Sequence, residues 1–396
     1  MKAAATLSRK TILLMAIVTG VIVANLNFIQ PIENLIAVDF GLTKSVVGAL
    51  AMVTQLGYAV GLLLIVPLGD IFDRYHLIQV MIILSIGSLL LAFWAPNVVV
   101  FSVATTLIGI TSVAPQIIIP YAGYLAPSHQ RGKVLGIVLS GLLTGILLSR
   151  SFSGLLGSVL PWQEIYLIAA IIDVVLLVIV HFYLPRDARG HQNLHYWPVI
   201  KTLPRLFRQQ KALRGSAING FCMFGMSNVL WSTLAFYLAD QYQLGSNVAG
   251  LLGLLGIAGV IAAPWIGHLV DQRSPRLTVG LGMIFSGLAF VVFWFAGAWL
   301  IGLIVGIILL DLGTQFSQVS NQAIVQSLNR HESSRNNSVF MFSYFLGGSL
   351  GTLTATTAWS HAGWLGVCLV AVAFLVLALI GHFVIGEPEK LGQVDA

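Results

Sequence analysis

Four ionisable side chains lie inside long apolar stretches of this chain: Glu33, Arg150, Asp173 and Asp311. Away from water such groups are costly, and where they persist they pair, bind an ion or face a watery path. Asp311 heads the series Asp311, Gln315, Gln318, Gln322, at spacings of 4, 3 and 4. That spacing sets four polar groups on one helix face. Ser317, Ser320 and Asn321 widen the polar zone. A carboxyl so placed could bind a proton or a cationic substrate, or the stripe could be an interhelical hydrogen-bond network. Arg150 is a permanent cation that needs a partner. It could anchor an anionic substrate, or pair with Glu33, which residue count puts at a similar depth. Glu33 itself is a proton-coupling candidate or a plain interfacial glutamate. Asn27, Gln30 and Asn34, spaced 3 and 4, make a second polar stripe beside it.

Two further stretches have residue types suited to a ligand wall. One offers Thr105, Ser112 and Gln116, the other Asn219, Met223, Met226 and Trp231. Methionine and aromatic side chains adapt to apolar ligands, although they also serve ordinary packing. Other chemistry is poorly represented. The nine histidines show no ligand spacing, and Cys222 and Cys368 imply neither a disulfide framework nor a metal site. There is no phosphate-binding loop. No metal, cofactor or nucleic-acid partner is expected, and an enzyme or a membrane-embedded sensor is the weaker reading.

The elements that must position these residues are membrane helices. The chain is 57% hydrophobic and 9% charged, against roughly 25% charged in a soluble domain. A spanning helix needs about 20 mostly apolar residues. Twelve such spans can be placed, near 11–37, 45–68, 77–95, 98–124, 134–158, 163–184, 213–239, 246–269, 277–296, 299–325, 336–357 and 363–385. Arg9 and Lys10 precede the first, whose apolar run is too long for a signal peptide. The polar, basic stretch 185–212 reads as a cytoplasmic linker between an N-terminal bundle, 1–184, and a C-terminal bundle, 213–396.

Charge fixes the expected orientation. With both termini in the cytoplasm, every Lys and Arg falls on a cytoplasmic segment except Lys44, outside, and Arg150, within a span. A missing or extra helix midway would destroy that bias.

The halves also echo each other. Gly69-x-x-x-Asp73-Arg74 matches Gly267-x-x-x-Asp271-Gln272-Arg273, and Arg131 matches Arg335. Gly141-x-x-x-Gly145 matches Gly347-x-x-x-Gly351, and Trp162 matches Trp364. Parallel six-helix repeats place a substrate path between halves, near the midplane.

The stretch Gly69-Asp70-Ile71-Phe72-Asp73-Arg74 resembles the loop signature between helices 2 and 3 of the major facilitator superfamily, although Tyr75-His76-Leu77 replaces its usual Gly and basic pair. The likeness covers nearly the whole chain. Asn27-Phe28-Ile29-Gln30-Pro31 and Thr54-Gln55-Leu56-Gly57-Tyr58 are similar to the twelve-helix bacterial drug:proton antiporter branch; the Gly-Pro pair of that branch's helix 5 is absent. The resemblance implies an all-α integral membrane fold of twelve transmembrane helices in two pseudo-symmetric six-helix bundles. It implies a secondary transporter working by alternating access in a bacterial inner membrane, functional as a monomer, with a small-molecule substrate, protons and lipids as partners. Proton-coupled efflux is expected, with an importer of a sugar, organic acid or amino acid as the alternative. Helices 1, 4, 7 and 10 would line the cavity, with Asp311 and Glu33 as proton-coupling candidates. The cavity candidates are Asn27, Gln30, Gln116, Arg150, Met223, Met226, Trp231, Gln315, Gln318 and Gln322. Helix 6 is usually peripheral, which gives Asp173 a structural or relay role. Gly69, Asp70, Asp73, Arg74, Gly267, Asp271 and Arg273 would form the gating motif, Asp73 and Arg74 holding the halves together on the inner side.

Overall fold

A computed structural model describes residues 8–41, 44–186, 196–243, 252–296 and 299–384. Those residues form helices and turns, with no strand among them. The first six expected spans are built from α1 (Arg9–Ala24), α2 (Ile29–Asp39), α3 (Lys44–Leu64), α4 (Arg74–Phe93), α5 (Val98–Thr111), α6 (Ala114–Leu125), α7 (Arg131–Gly157) and α8 (Trp162–Tyr183). After α9 (Tyr196–Gln209) come α10 (Lys211–Tyr242), α11 (Ile257–Gln272), α12 (Pro275–Ala296), α13 (Leu300–Ser327) and α14 (Ser333–Val384). Among the described residues nine stretches are long and apolar enough to cross a membrane, ten if the bent Lys211–Tyr242 pair counts as one.

Two expected spans are broken helices, and proline explains both. The span 11–37 is split into α1 and α2 at residues 25–28. Pro31 has no N–H to offer the Asn27 carbonyl four residues back, and its ring crowds that carbonyl. The break is bridged by shorter-range bonds, Leu26 N–H to Val23 O and Asn27 N–H to Ala24 O. Pro115 stands in the same relation to Thr111, where α5 ends and α6 begins one turn later. The last two expected spans run together as α14 and turn at Gly363, whose φ of 54° suits a residue without Cβ. Part of the expected linker is helical too: Val199, Leu203 and Leu206 of α9 are buried while Lys201, Arg205 and Arg208 are exposed. The 4, 3 spacing of its apolar residues was the available signal. Residues 187–195 lie outside the described residues.

The chain divides into two compact units. The first gathers Met1–Leu125, Ile137–Thr202 and His331–Ser338; the second gathers Ala126–Gly136, Leu203–Arg330 and Val339–Ala396. The first has a core around Phe28, Ile32, Leu89, Phe101 and Trp162. The second has a core around Met223, Met226, Phe290, Phe293 and Leu303.

Each unit repeats the same devices. In the first, Gly141 and Gly145 of α7 pack on Ala16 and Gly20 of α1 so closely that an added methyl would overlap backbone. In the second, Gly347 and Gly351 of α14 pack on Phe221 and Gly225 of α10 in the same way. Small residues let helix backbones approach, which is how helices associate in lipid. Trp162 packs edge-on to Phe101 at 4.9 Å, and Trp364 stacks on Tyr237 at 3.9 Å.

Candidate transport site

The polar series on α13 divides its bonds among several neighbours. The Trp231 side chain of α10 lies beside the Asp311 carboxyl. Its Oδ2 is buried without a hydrogen-bond partner, and among the described residues no basic side chain pairs with it. One turn on, Gln315 lies under Gly259 of α11, where a methyl would come within 2.8 Å of its Cγ. The Gln315 Oε1 is also buried and unpartnered. Gln318 accepts from the Tyr344 hydroxyl at 3.1 Å, and Tyr344 stacks on Phe224 at 4.0 Å. The Gln322 amide reaches the Met341 sulfur at 3.6 Å. Ser317 and Asn321 both donate to Asn219 Oδ1 at 2.6 Å, and Ser320 bonds Thr278 at 2.8 Å. The C-terminal half of α13 is therefore largely spent on interhelical bonds, while Asp311 and Gln315 keep unsatisfied acceptors. Met223 and Met226 are buried in the apolar core of this unit.

The first unit holds its own buried carboxyl. Asp173 on α8 has no exposure. Its Oδ2 accepts from Ser85 Oγ of α4 at 2.8 Å and from Asn25 Nδ2, at the end of α1, at 3.1 Å. Its Oδ1 is buried without a partner. Sequence spacing missed this triad, because its members lie on three separate helices. The signal available was Asp173 itself, a lone ionisable residue in an apolar run.

Gln116 donates to the Tyr58 hydroxyl at 3.0 Å and receives Asn337 Nδ2 at its own carbonyl at 2.9 Å. Asn27, in the break, turns back to donate to Val23 O near the end of α1. The backbones of Gln30, Glu33 and Arg150 are helical, but their side chains lie outside the described residues, so the expected Glu33–Arg150 pair does too.

The loop signature is fully engaged. Arg74 is buried and donates to Gly69 O at 3.0 Å, Asp70 Oδ1 at 3.2 Å, Ser334 Oγ at 3.0 Å, and Ser333 Oγ. Asp70 also accepts the backbone N–H groups of Ser334 and Arg335, at 2.9 and 3.0 Å, and Arg335 Nε at 3.1 Å. A carboxylate at a helix N-terminus satisfies orphan donors and meets the positive end of the helix dipole. In the second unit Asp271 does the same for α7, accepting from Gly132 N and Lys133 N at 2.7 and 2.8 Å.

The sequence match pairs Asp271 with Asp73, but in three dimensions its counterpart is Asp70. The reason is local. In α11 the residue four after Gly267 lies over it on the same face. Before α4 the chain leaves a 3₁₀ turn at Val66–Asp70, so the acid beside Gly69 takes that place. Asp73 caps its own helix through Tyr75 N and bonds His76. Arg273 is the residue at which α11 ends.

The sequence pattern of the family described as Major Facilitator Superfamily matches residues 12–352 and, in an overlapping second match, 216–395. The "Uncharacterized transporter YgaY" of Escherichia coli O157:H7 is 35% identical over 375 residues, covering 94% of this chain and 95% of that protein. The "Probable transporter SCO4007" of Streptomyces coelicolor is 31% identical, covering 92% and 85%. Among solved structures, the human organic anion transporter MFSD10 aligns with a TM-score of 0.78 at 15% identity, covering 96% of this chain and 99% of that one. The outward conformation of FucP aligns at 0.76, with 15% identity and the same coverage. At that identity the structural likeness speaks for the fold alone. Sequence and architecture agree: this chain belongs to the Major Facilitator Superfamily, and it is an integral membrane transporter rather than an enzyme.

Proposed function

We propose that the protein is a proton-coupled exporter of a small organic molecule, working by alternating access, with Asp311 as the group that takes up and releases the proton. The observation that carries this is the Asp311 carboxyl, which lies beside the Trp231 indole, keeps a bare buried oxygen and has no described counter-charge. A carboxyl so held can bind a proton or a cation; Asp173 also keeps a bare oxygen, but its other oxygen takes side-chain bonds from both Ser85 and Asn25. Gln315 offers a neighbouring free acceptor for a substrate donor. Asp70 with Ser334 and Arg335, and Asp271 with Gly132 and Lys133, are the ties that open and close during the cycle. Outward direction rests on the likeness of 27–31 and 54–58 to the drug:proton antiporter branch. The distribution of basic residues supports a bacterial inner membrane with both termini inside. The monomer is the proposed working unit, with 185–212 as the linker between its two bundles.

Purified protein in liposomes with a lumenal pH dye tests this reading. A panel of hydrophobic cations, sugars, organic acids and amino acids is added outside. An exchanger draws protons out and makes the lumen more alkaline; a symporter acidifies it and overturns the efflux reading. Asp311→Asn should abolish the proton signal and Asp311→Glu retain part of it. A full signal in Asp311→Asn removes Asp311 from the coupling role.

A further inference from the structure

The second unit has an apolar trough on its outer surface that the transport reading does not use. It encloses about 700 Å³ between α12 and the last part of α14, with Met226 of α10 in its floor. It is concave. Ile284, Val291, Leu369 and Val372 at its rims are 47–60% exposed, whereas Met283, Phe290, Cys368 and Ala371 in its floor are 0–6% exposed. At one end Gly280 leaves it open, since a methyl there would meet nothing within 4 Å. From Gly280 to Phe295 the trough follows α12 for roughly 22 Å at ~1.5 Å per residue, against ~15 Å for half the hydrocarbon core of a bilayer.

The open end is the polar one. His382 lines the trough there and also lines a second, smaller cavity with Lys211 and Arg276. His382 and Arg276 share the lining of that smaller cavity. Ser216 and Asn219 add hydrogen-bonding groups, and among the described residues no carboxylate lines either cavity. Three basic side chains from three helices thus converge where an apolar slot begins. An anion attached to a long hydrocarbon chain satisfies both features; a neutral or zwitterionic lipid satisfies one.

We propose that this trough is a binding site for an anionic phospholipid, its phosphate among Lys211, Arg276 and His382 and an acyl chain along α12 and α14. Lipid held there would bear on Asn219, which also bonds Ser317 and Asn321 of α13, so occupancy would be felt on the helix that carries Asp311. The site itself is independent of what the protein transports.

Native mass spectrometry of the full-length protein, released from detergent and titrated with phosphatidylglycerol or phosphatidylethanolamine of the same acyl chains, tests this. Each basic side chain near a membrane surface contributes about a fivefold gain for anionic lipid. Wild-type protein should retain phosphatidylglycerol over phosphatidylethanolamine, and Lys211→Gln with Arg276→Gln should lose about twenty-five-fold in phosphatidylglycerol affinity together with that preference. Gly280→Leu, which fills the slot, should weaken both lipids alike. Equal retention of the two lipids by wild-type protein, or unchanged retention in Gly280→Leu, overturns the proposal. So does glycerol phosphate displacing phosphatidylglycerol at equal concentration, since the site would then hold the anion alone. If the double variant does not fold, Arg276→Gln and Gly280→Leu are read by the same criteria.

Discussion

Asp173 takes both of its donors on one oxygen, so the two ends of its carboxyl live in different surroundings. Removing the acceptor would strand the Asn25 amide and the Ser85 hydroxyl in a buried site, at a cost of about 2 kcal/mol. Asparagine in its place keeps one oxygen for those donors. Asp173→Ala should therefore lower the melting temperature of the detergent-solubilised protein clearly more than Asp173→Asn. Equal losses would mean that the bonds to Asn25 and Ser85 contribute little. The two acids of the 69–74 loop contrast in the same way. Asp70 is buried against Arg74 and Arg335, and neutralising it removes the carboxylate they share, although Arg335 keeps Glu332 at 3.7 Å; breaking a buried pair typically costs 3–5 kcal/mol. Asp73 is a helix cap, and asparagine caps as well as aspartate. Asp70→Asn should be strongly destabilised and Asp73→Asn nearly unchanged. A thermal shift series on the two variants checks the order, and the reverse order would return the inner-side role to Asp73.

At the scale of the element, the breaks in the first and fourth spans are a consequence of proline placement. Pro31→Ala restores an N–H for the Asn27 carbonyl and removes the ring clash. Backbone amides across 25–31 should then exchange with deuterium more slowly, as one continuous helix replaces two. Unchanged exchange would show that packing against α8, not Pro31, imposes the break. That break matters because it presents Asn25 to Asp173 from the end of α1. The close helix pairs α1 with α7, and α10 with α14, depend on glycine. Gly145→Leu or Gly351→Leu would force the backbones apart, and either should reduce folded yield far more than the same change at Gly87, where a methyl meets nothing.

For the whole molecule, orientation is the property most open to direct test. The native cysteines are buried, at 2% and 3% exposure, so labelling background is low. Single cysteines at Val159 on one side, and at Gln130 or Gln272 on the other, should separate cleanly with a membrane-impermeant thiol reagent. In intact cells only Val159→Cys should react; after permeabilisation all three should. Labelling of Gln130→Cys in intact cells would invert the topology read from the basic residues.

The membrane class, the number and rough edges of the spans, and the twofold repeat were set by composition and local pattern. Those are one-dimensional quantities: runs of apolar residues, the side of the bilayer on which Lys and Arg fall, and motifs recurring in order. The Asp311 stripe was legible for the same reason, since its members share one helix. Contacts between helices were not. The Asn25–Ser85–Asp173 triad joins residues 60 to 148 positions apart, and no spacing rule connects them. The pairing of Asp70, rather than Asp73, with the role of Asp271 depended on a 3₁₀ turn that offsets the acid by three residues. The sequence determined which groups would be buried in lipid; tertiary packing decided which acceptors would be filled and which, at Asp311 and Asp173, would be left bare, because only the meeting of several helices determines how many donors reach one oxygen.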